Sequence, residues 1–152
     1  DISCEGEIGF VGYSDGEQSN GTNPSEANMF AKDTKVDAMA ISVGNIHLQK
    51  HREGNLDLER IRQIEQVTSI PLVIHGGSGV PVKQRSFLSR NSKICKFNIG
   101  TELRMTFGDT LRKSIVSHPD QFDRVEILKK THEPLVQATR KVLNAFKPES
   151  KK

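Results

Sequence analysis

Apolar positions along this chain follow two rhythms that take turns from one end to the other. Residues 2–8 alternate with period two, so a strand is predicted there with Ser3, Glu5 and Glu7 on one face. Two carboxylates on one face of a buried strand need partners. Residues 9–21 lose periodicity and are rich in Gly, Ser, Asp and Asn, which predicts a long loop of the kind that often works as a lid. Asn23, Pro24, Ser25 and Glu26 then form a helix start, with Asn23 as cap, Pro24 at the first helical position and Glu26 placed for a capping box. That helix is predicted to run to about Lys32. Residues 38–46 form an apolar run that reads as a buried strand ending at His47. Leu56, Leu58, Ile61, Ile64 and Val67 recur at helical spacing with charges between them, giving an amphipathic helix that packs on a sheet.

A third strand is predicted at 71–75, a short helix from 81 to about 90, and a fourth strand at 94–99. Thr101 is placed to cap a helix over 102–117, which Pro119 ends. The remainder, with Val125, Leu128, Leu135, Val136, Val142, Leu143 and Phe146, reads as one or two terminal helices interrupted near Pro134. Strand and helix thus alternate four times. Such alternation implies an α/β fold with a parallel sheet, right-handed crossovers and helices outside. Four units suit a small open sheet or half of an eight-stranded (β/α)8 TIM barrel, which takes about 250 residues when complete. The chain opens on Asp1, at the edge of an apolar stretch, so the expectation is the C-terminal half of such a barrel: four βα units plus C-terminal helices, 1–152 as a single domain, the upstream half absent.

Composition narrows the function classes. Charged residues make up 27% and no apolar run approaches the roughly 18 to 20 residues of a membrane span, so a soluble, cytoplasmic protein without a membrane partner is expected. The net charge of +3 is dispersed, and aromatics are 5% with one Tyr and no Trp, which argues against a base-stacking nucleic-acid surface. Cys4 and Cys95 are too few and too far apart for a CxxC metal or redox element and read as reduced thiols.

His47 and His75 each stand where a predicted strand gives way to a loop, and in a parallel barrel the chemistry sits at those ends. The four strands would bring Glu7, His47, His75 and Asn98 to one end. Two imidazoles there can share a metal ion, and Gly76, Gly77 and Ser78, with Gly100 and Thr101, can hold an anion beside it through backbone N–H groups, hydroxyls and a helix dipole. A divalent zinc ion next to a phosphate pocket suits a phosphorylated ketone, polarising its carbonyl and stabilising the enediolate. Asp15 and Glu17, on the long loop, are the candidates for moving the proton.

With these residues in view, the chain resembles the class II, metal-dependent ketose-bisphosphate aldolases, which include fructose- and tagatose-bisphosphate aldolases. EGEIGFVG is similar to that family's acidic strand and loop, VGNIH to its middle zinc-ligand segment, PLVIHGGSG to its last zinc histidine and phosphate loop, and KFNIGTELR to its substrate segment. The resemblance implies a (β/α)8 barrel that reversibly cleaves a ketose bisphosphate to dihydroxyacetone phosphate and an aldehyde such as glyceraldehyde 3-phosphate. It implies His47 and His75 as zinc ligands, and Glu7 as the carboxylate of a second or alternative metal position. Gly76, Gly77, Ser78, Asn98, Ile99, Gly100 and Thr101 match the site for dihydroxyacetone phosphate, with Asn98 on its hydroxyl end. A monovalent cation is a further expectation, as is a homo-oligomer, dimeric or tetrameric.

Two departures from the pattern stand out. Leu48 occupies the place of the glycine that usually follows the middle histidine, and the loop reads Gly12, Tyr13, Ser14, Asp15, Gly16, Glu17 in place of adjacent acids after paired glycines. The family's remaining zinc histidine and its aspartate lie in an earlier part of the barrel, so the isolated chain is expected to bind zinc weakly or not at all and to be inactive. Two other readings compete: a non-catalytic phosphosugar-binding or assembly module of the same barrel family, and an unrelated phosphosugar-binding α/β protein without metal.

Overall fold

The computed structural model describes residues 2–13, 19–47 and 55–146. It comprises two compact units, Asp1–Ile99 and Gly100–Lys152. In the first, chain order runs β1 (Glu5–Glu7), β2 (Gly12–Tyr13), α1 (Pro24–Thr34), β3 (Ala38–Ile41), β4 (Ile46–His47), α2 (Leu58–Val67), β5 (Leu72–Ile74), a 3₁₀ turn at Gly77–Gly79, α3 (Val82–Asn91) and β6 (Ile94–Phe97). Strands β1, β3, β5 and β6 lie side by side in that order and every pair is parallel. The short strands β2 and β4 form a second parallel pair.

Helix ends follow local chemistry. Asn23 caps α1 by accepting from the Ser25 N–H at 2.8 Å, and Asp57 caps α2 by accepting from the Arg60 N–H at 2.9 Å. Ile61 and Ile64, three positions apart on α2, turn one face onto the sheet, where they join Ala27, Met39, Ile41, Leu72, Ile74 and Leu88 in the core. Burying each such side chain contributes about 1.5–3 kcal/mol. Met39, Ala40 and Ile41 are all buried, as are Leu72, Val73 and Ile74, so the two middle strands read as unbroken apolar runs.

Register places Glu7, Ala40, Val73 and Lys96 in one row across the sheet. Glu5 shares the Glu7 face of β1, by period two. From there its carboxylate reaches Lys96 Nζ on the opposite edge strand at 2.7 Å. Across a flat sheet, three strand spacings and the two-residue offset of Glu5 from the Lys96 row amount to about 16 Å, farther than a lysine and a glutamate extend toward each other. The sheet therefore curls toward the face that carries these residues.

Four expectations are corrected. The apolar run 38–46 is two strands, because Gly44 adopts φ +93 and the Asn45 side chain, accepting from the Val43 N–H at 2.7 Å, replaces a ladder partner. The β1 face with Glu5 and Glu7 is exposed, since β1 is an edge strand whose polar face carries no helix. In the second unit Thr101 is no cap: α4 (Thr101–Ser117) begins on it, and its hydroxyl, drawn into the first turn, accepts from Arg104 Nη2 instead. Finally, α5 (Arg124–Asn144) runs without interruption through Pro134. An interior proline costs about 3 kcal/mol. Its Asp123 cap, accepting from the Val125 N–H, and its packing against α4 along the hairpin offset that cost. Among the described residues no helix is long and apolar enough to cross a membrane.

Candidate metal centre

His47 closes β4 and His75 follows β5, so both side chains leave C-terminal strand ends of the first unit. Their rings lie close, with centroids 6.2 Å apart and planes at 46°. Two carboxylates flank His75: Glu5 Oε1 is 2.9 Å from Nε2, and Glu7 Oε2 is 3.3 Å from Nδ1. The expected trio of His47, His75 and Glu7 is thereby brought to one place, and Glu5 and Lys96 join it unforeseen.

Backbone geometry sets these positions. Asn45 is buried, and its amide donates both to the Ile41 carbonyl at 3.2 Å and to the His75 carbonyl at 3.0 Å. It ties the end of β3 to the residue that carries the second imidazole. Gly76 stands at φ +65, and a Cβ there would lie 2.5 Å from the Ile46 carbonyl oxygen, so only glycine lets β4 pass this close. Replacing Asn45 by alanine is expected to leave the Val43 N–H buried without its acceptor and to cost about 1–3 kcal/mol, read by urea denaturation. Asn45→Asp keeps that acceptor but turns a carboxylate on two carbonyls, so it should be no milder; wild-type stability in both variants would contradict this role.

Beyond His75 the loop turns inward, and Gly77, Ser78 and Gly79 are buried. The Gly77 N–H donates to the Asn98 carbonyl at 3.0 Å, and the Asn98 N–H donates to the Ile74 carbonyl at 2.8 Å. Asn98 and Ile99, just past β6, are thus stitched to the glycine loop. The same bond engages the Gly77 N–H within the protein. Gly100 and Thr101 belong to the second unit, at the start of α4. Asp15, Glu17 and Leu48 lie outside the described residues.

Electrostatics favour a neutral His47. Burial lowers its pKa below the ordinary imidazole value, a proton on the neighbouring His75 would add to this, and Glu7 opposes it. Burial works to raise the Glu5 carboxyl, but hydrogen bonds and charge from Lys96 and His75 outweigh it and leave the group below its usual value. Folding weakens proton binding at His47, so stability fully present above the unfolded imidazole value of 6.5 is lost as pH falls below it and through the lower folded-state value. His47→Gln should flatten part of that loss in metal-free denaturation series between about pH 7.5 and pH 5. An unchanged slope would contradict the assignment.

The donor set suits a borderline ion such as zinc, two imidazoles and a carboxylate. Ligands of a tetrahedral zinc stand about 3.4 Å apart, and His75 Nδ1 and Glu7 Oε2 are at 3.3 Å. Two imidazoles on one such ion place their centroids about 5 Å apart, whereas 6.2 Å is observed. Among the described residues no group of three or more His, Cys, Asp or Glu side chains is drawn close enough to hold an ion. His75 and Glu7 are therefore spaced as two ligands, with the His47 ring about 1 Å too distant to complete a tetrahedral set.

A family model described as class-II fructose-bisphosphate aldolase matches residues 1–151. Among solved structures, the YdjI aldolase from Escherichia coli K12 is similar at 25% identity and TM-score 0.68, over 98% of this chain and 50% of that one. A fructose-bisphosphate aldolase from Campylobacter jejuni has the same fold at 20% identity and TM-score 0.68, over 95% of this chain and 50% of that one. The chain spans about half the length of the solved structures it matches.

Proposed function

We propose, for a chain that belongs to the class-II fructose-bisphosphate aldolase family, that it forms half of a (β/α)8 barrel whose reaction is zinc-dependent, reversible cleavage of a ketose bisphosphate. The curl of the parallel sheet and the half-length match support the barrel. The observation that carries the reaction is the meeting of His47, His75 and Glu7 at one end of the strands.

His47 and His75 would hold the zinc ion, with Glu7 beside them. Bound there, zinc supplies a Lewis acid that polarises the ketone and steadies the negative charge developing on its oxygen. Gly76, Gly77 and Ser78 with Asn98 and Ile99 bind the dihydroxyacetone phosphate half of the substrate, the Asn98 amide holding its hydroxyl end. Gly100 and Thr101 share that role on motif likeness alone. Asp15 or Glu17 moves the proton at the substrate carbon. Catalytic zinc takes three protein ligands and an open position, so a third histidine comes from the other half of the barrel, and activity belongs to the two halves together. The protein works as a cytoplasmic homo-oligomer.

A cleavage assay on the full-length protein tests this, with fructose 1,6- and tagatose 1,6-bisphosphate compared side by side. Turnover of one of them that a chelator abolishes and zinc restores is expected. Chelator-resistant turnover, or none with either sugar, would remove the proposal.

A further inference from the structure

Glu5 opens the EGEIGFVG segment and Lys96 the KFNIGTELR segment, and from these different strands Glu5 contacts His75 directly while Lys96 reaches it through Glu5. Glu5 Oε1 lies 2.9 Å from His75 Nε2, while its Oε2 accepts from Lys96 Nζ at 2.7 Å. On the other side of the ring, Glu7 Oε2 is 3.3 Å from Nδ1. A neutral imidazole has one N–H, and an ionised carboxylate can only accept, so the ring can satisfy one of its two neighbours. Glu5 is the better acceptor on three grounds. Its contact is shorter, its side chain is less exposed than that of Glu7 (26% against 41%), and Lys96 fixes it in place.

With the proton on Nε2, the Nδ1 lone pair faces a carboxylate oxygen at 3.3 Å, an arrangement that is repulsive until a cation enters between them. Resting on the metal-dependent reading above, we infer that Glu5, fixed by Lys96, is a positioning residue that holds His75 in its Nε2–H tautomer and so presents Nδ1, together with Glu7, to a divalent cation. A metal-binding histidine generally donates its other N–H in this way, and losing that partner weakens metal affinity about 10- to 100-fold.

Two readouts on the full-length protein test the inference: the tautomer of the neutral His75 ring in the metal-free form, from two-bond ¹H–¹⁵N correlations at a pH high enough to deprotonate the imidazolium, and zinc affinity by chelator competition. Wild type should carry the proton on Nε2. Glu5→Leu should lose that preference and bind zinc about 10- to 100-fold more weakly. Glu5→Gln, which keeps an acceptor oxygen, should retain the tautomer, and Lys96→Met should shift both readouts toward Glu5→Leu by a smaller step. A proton on Nδ1 in wild type overturns the inference, as do a wild-type tautomer and affinity in Glu5→Leu. If Glu5→Leu does not fold, the wild-type tautomer and Lys96→Met decide in the same way. His75→Ala separates the two ideas: wild-type zinc affinity in that variant removes the metal-dependent reading itself, whereas loss of zinc there with none in Glu5→Leu removes only the positioning role.

Discussion

Replacing His75 by alanine is expected to abolish zinc-dependent cleavage by the full-length protein, lowering kcat/KM by three or more orders of magnitude. The ring is the group placed between Glu5 and Glu7, at the distances of a donor pair on one side and a ligand pair on the other. Removing it deletes one proposed ligand and leaves the other, His47, without the neighbour 6.2 Å away. A Lewis acid contributes several kcal/mol to such a barrier, and about 1.4 kcal/mol corresponds to a factor of ten in rate. Zinc content and turnover should fall together. Full zinc content with lost turnover would take His75 out of the ligand set and remove the metal-dependent reading of this site.

Gly76→Ala carries the second large effect, on stability as well as on the site. At φ +65 an L-residue costs about 1–2 kcal/mol. The added methyl would also sit 2.5 Å from the Ile46 oxygen and 2.8 Å from the Ile46 carbonyl carbon, which are backbone atoms without a rotamer to yield. Strand β4 must move, and His47 is its last residue. We expect a loss of about 3 kcal/mol in denaturant unfolding, with zinc affinity falling more than stability alone requires. A variant as stable and as avid as wild type would show that the close approach of loop and strand does not position the histidines.

The order of strands and helices was legible because periodicity is a local property. Ile61 and Ile64 on α2 or Leu72 to Ile74 on β5 announce their faces without reference to anything distant. His47 and His75 were legible for a related reason, as polar residues standing where apolar runs end. What joins them was not. Glu5 meets His75 across 70 positions and Lys96 across 91, and such pairs depend on how far the sheet curls, which no local pattern encodes. A faint signal existed, since Glu5 shares a strand face with Glu7, and Lys96 stands two positions before Asn98.

Breaks within elements were misread where one residue's chemistry outweighed the pattern around it. Gly44 and Asn45 divide an apolar run that hydrophobicity alone joins, and the Asn45 amide then links the two strand ends that matter most. Pro134 errs in the opposite direction: the residue forbids one hydrogen bond, but a helix of 21 residues with a capped start tolerates the loss. Loop acids remained undecided for a different reason. Nothing in the order Gly12, Tyr13, Ser14, Asp15, Gly16, Glu17 distinguishes a proton carrier from a solvated charge.

Zinc K-edge X-ray absorption on the zinc-loaded full-length protein, with the number of imidazoles in the first coordination sphere as readout, tests the shared-ion claim most directly. At least two imidazole nitrogens at about 2.0–2.1 Å are predicted, falling by one in each of His47→Ala and His75→Ala. A sphere of oxygens alone, or a count indifferent to either substitution, would contradict it.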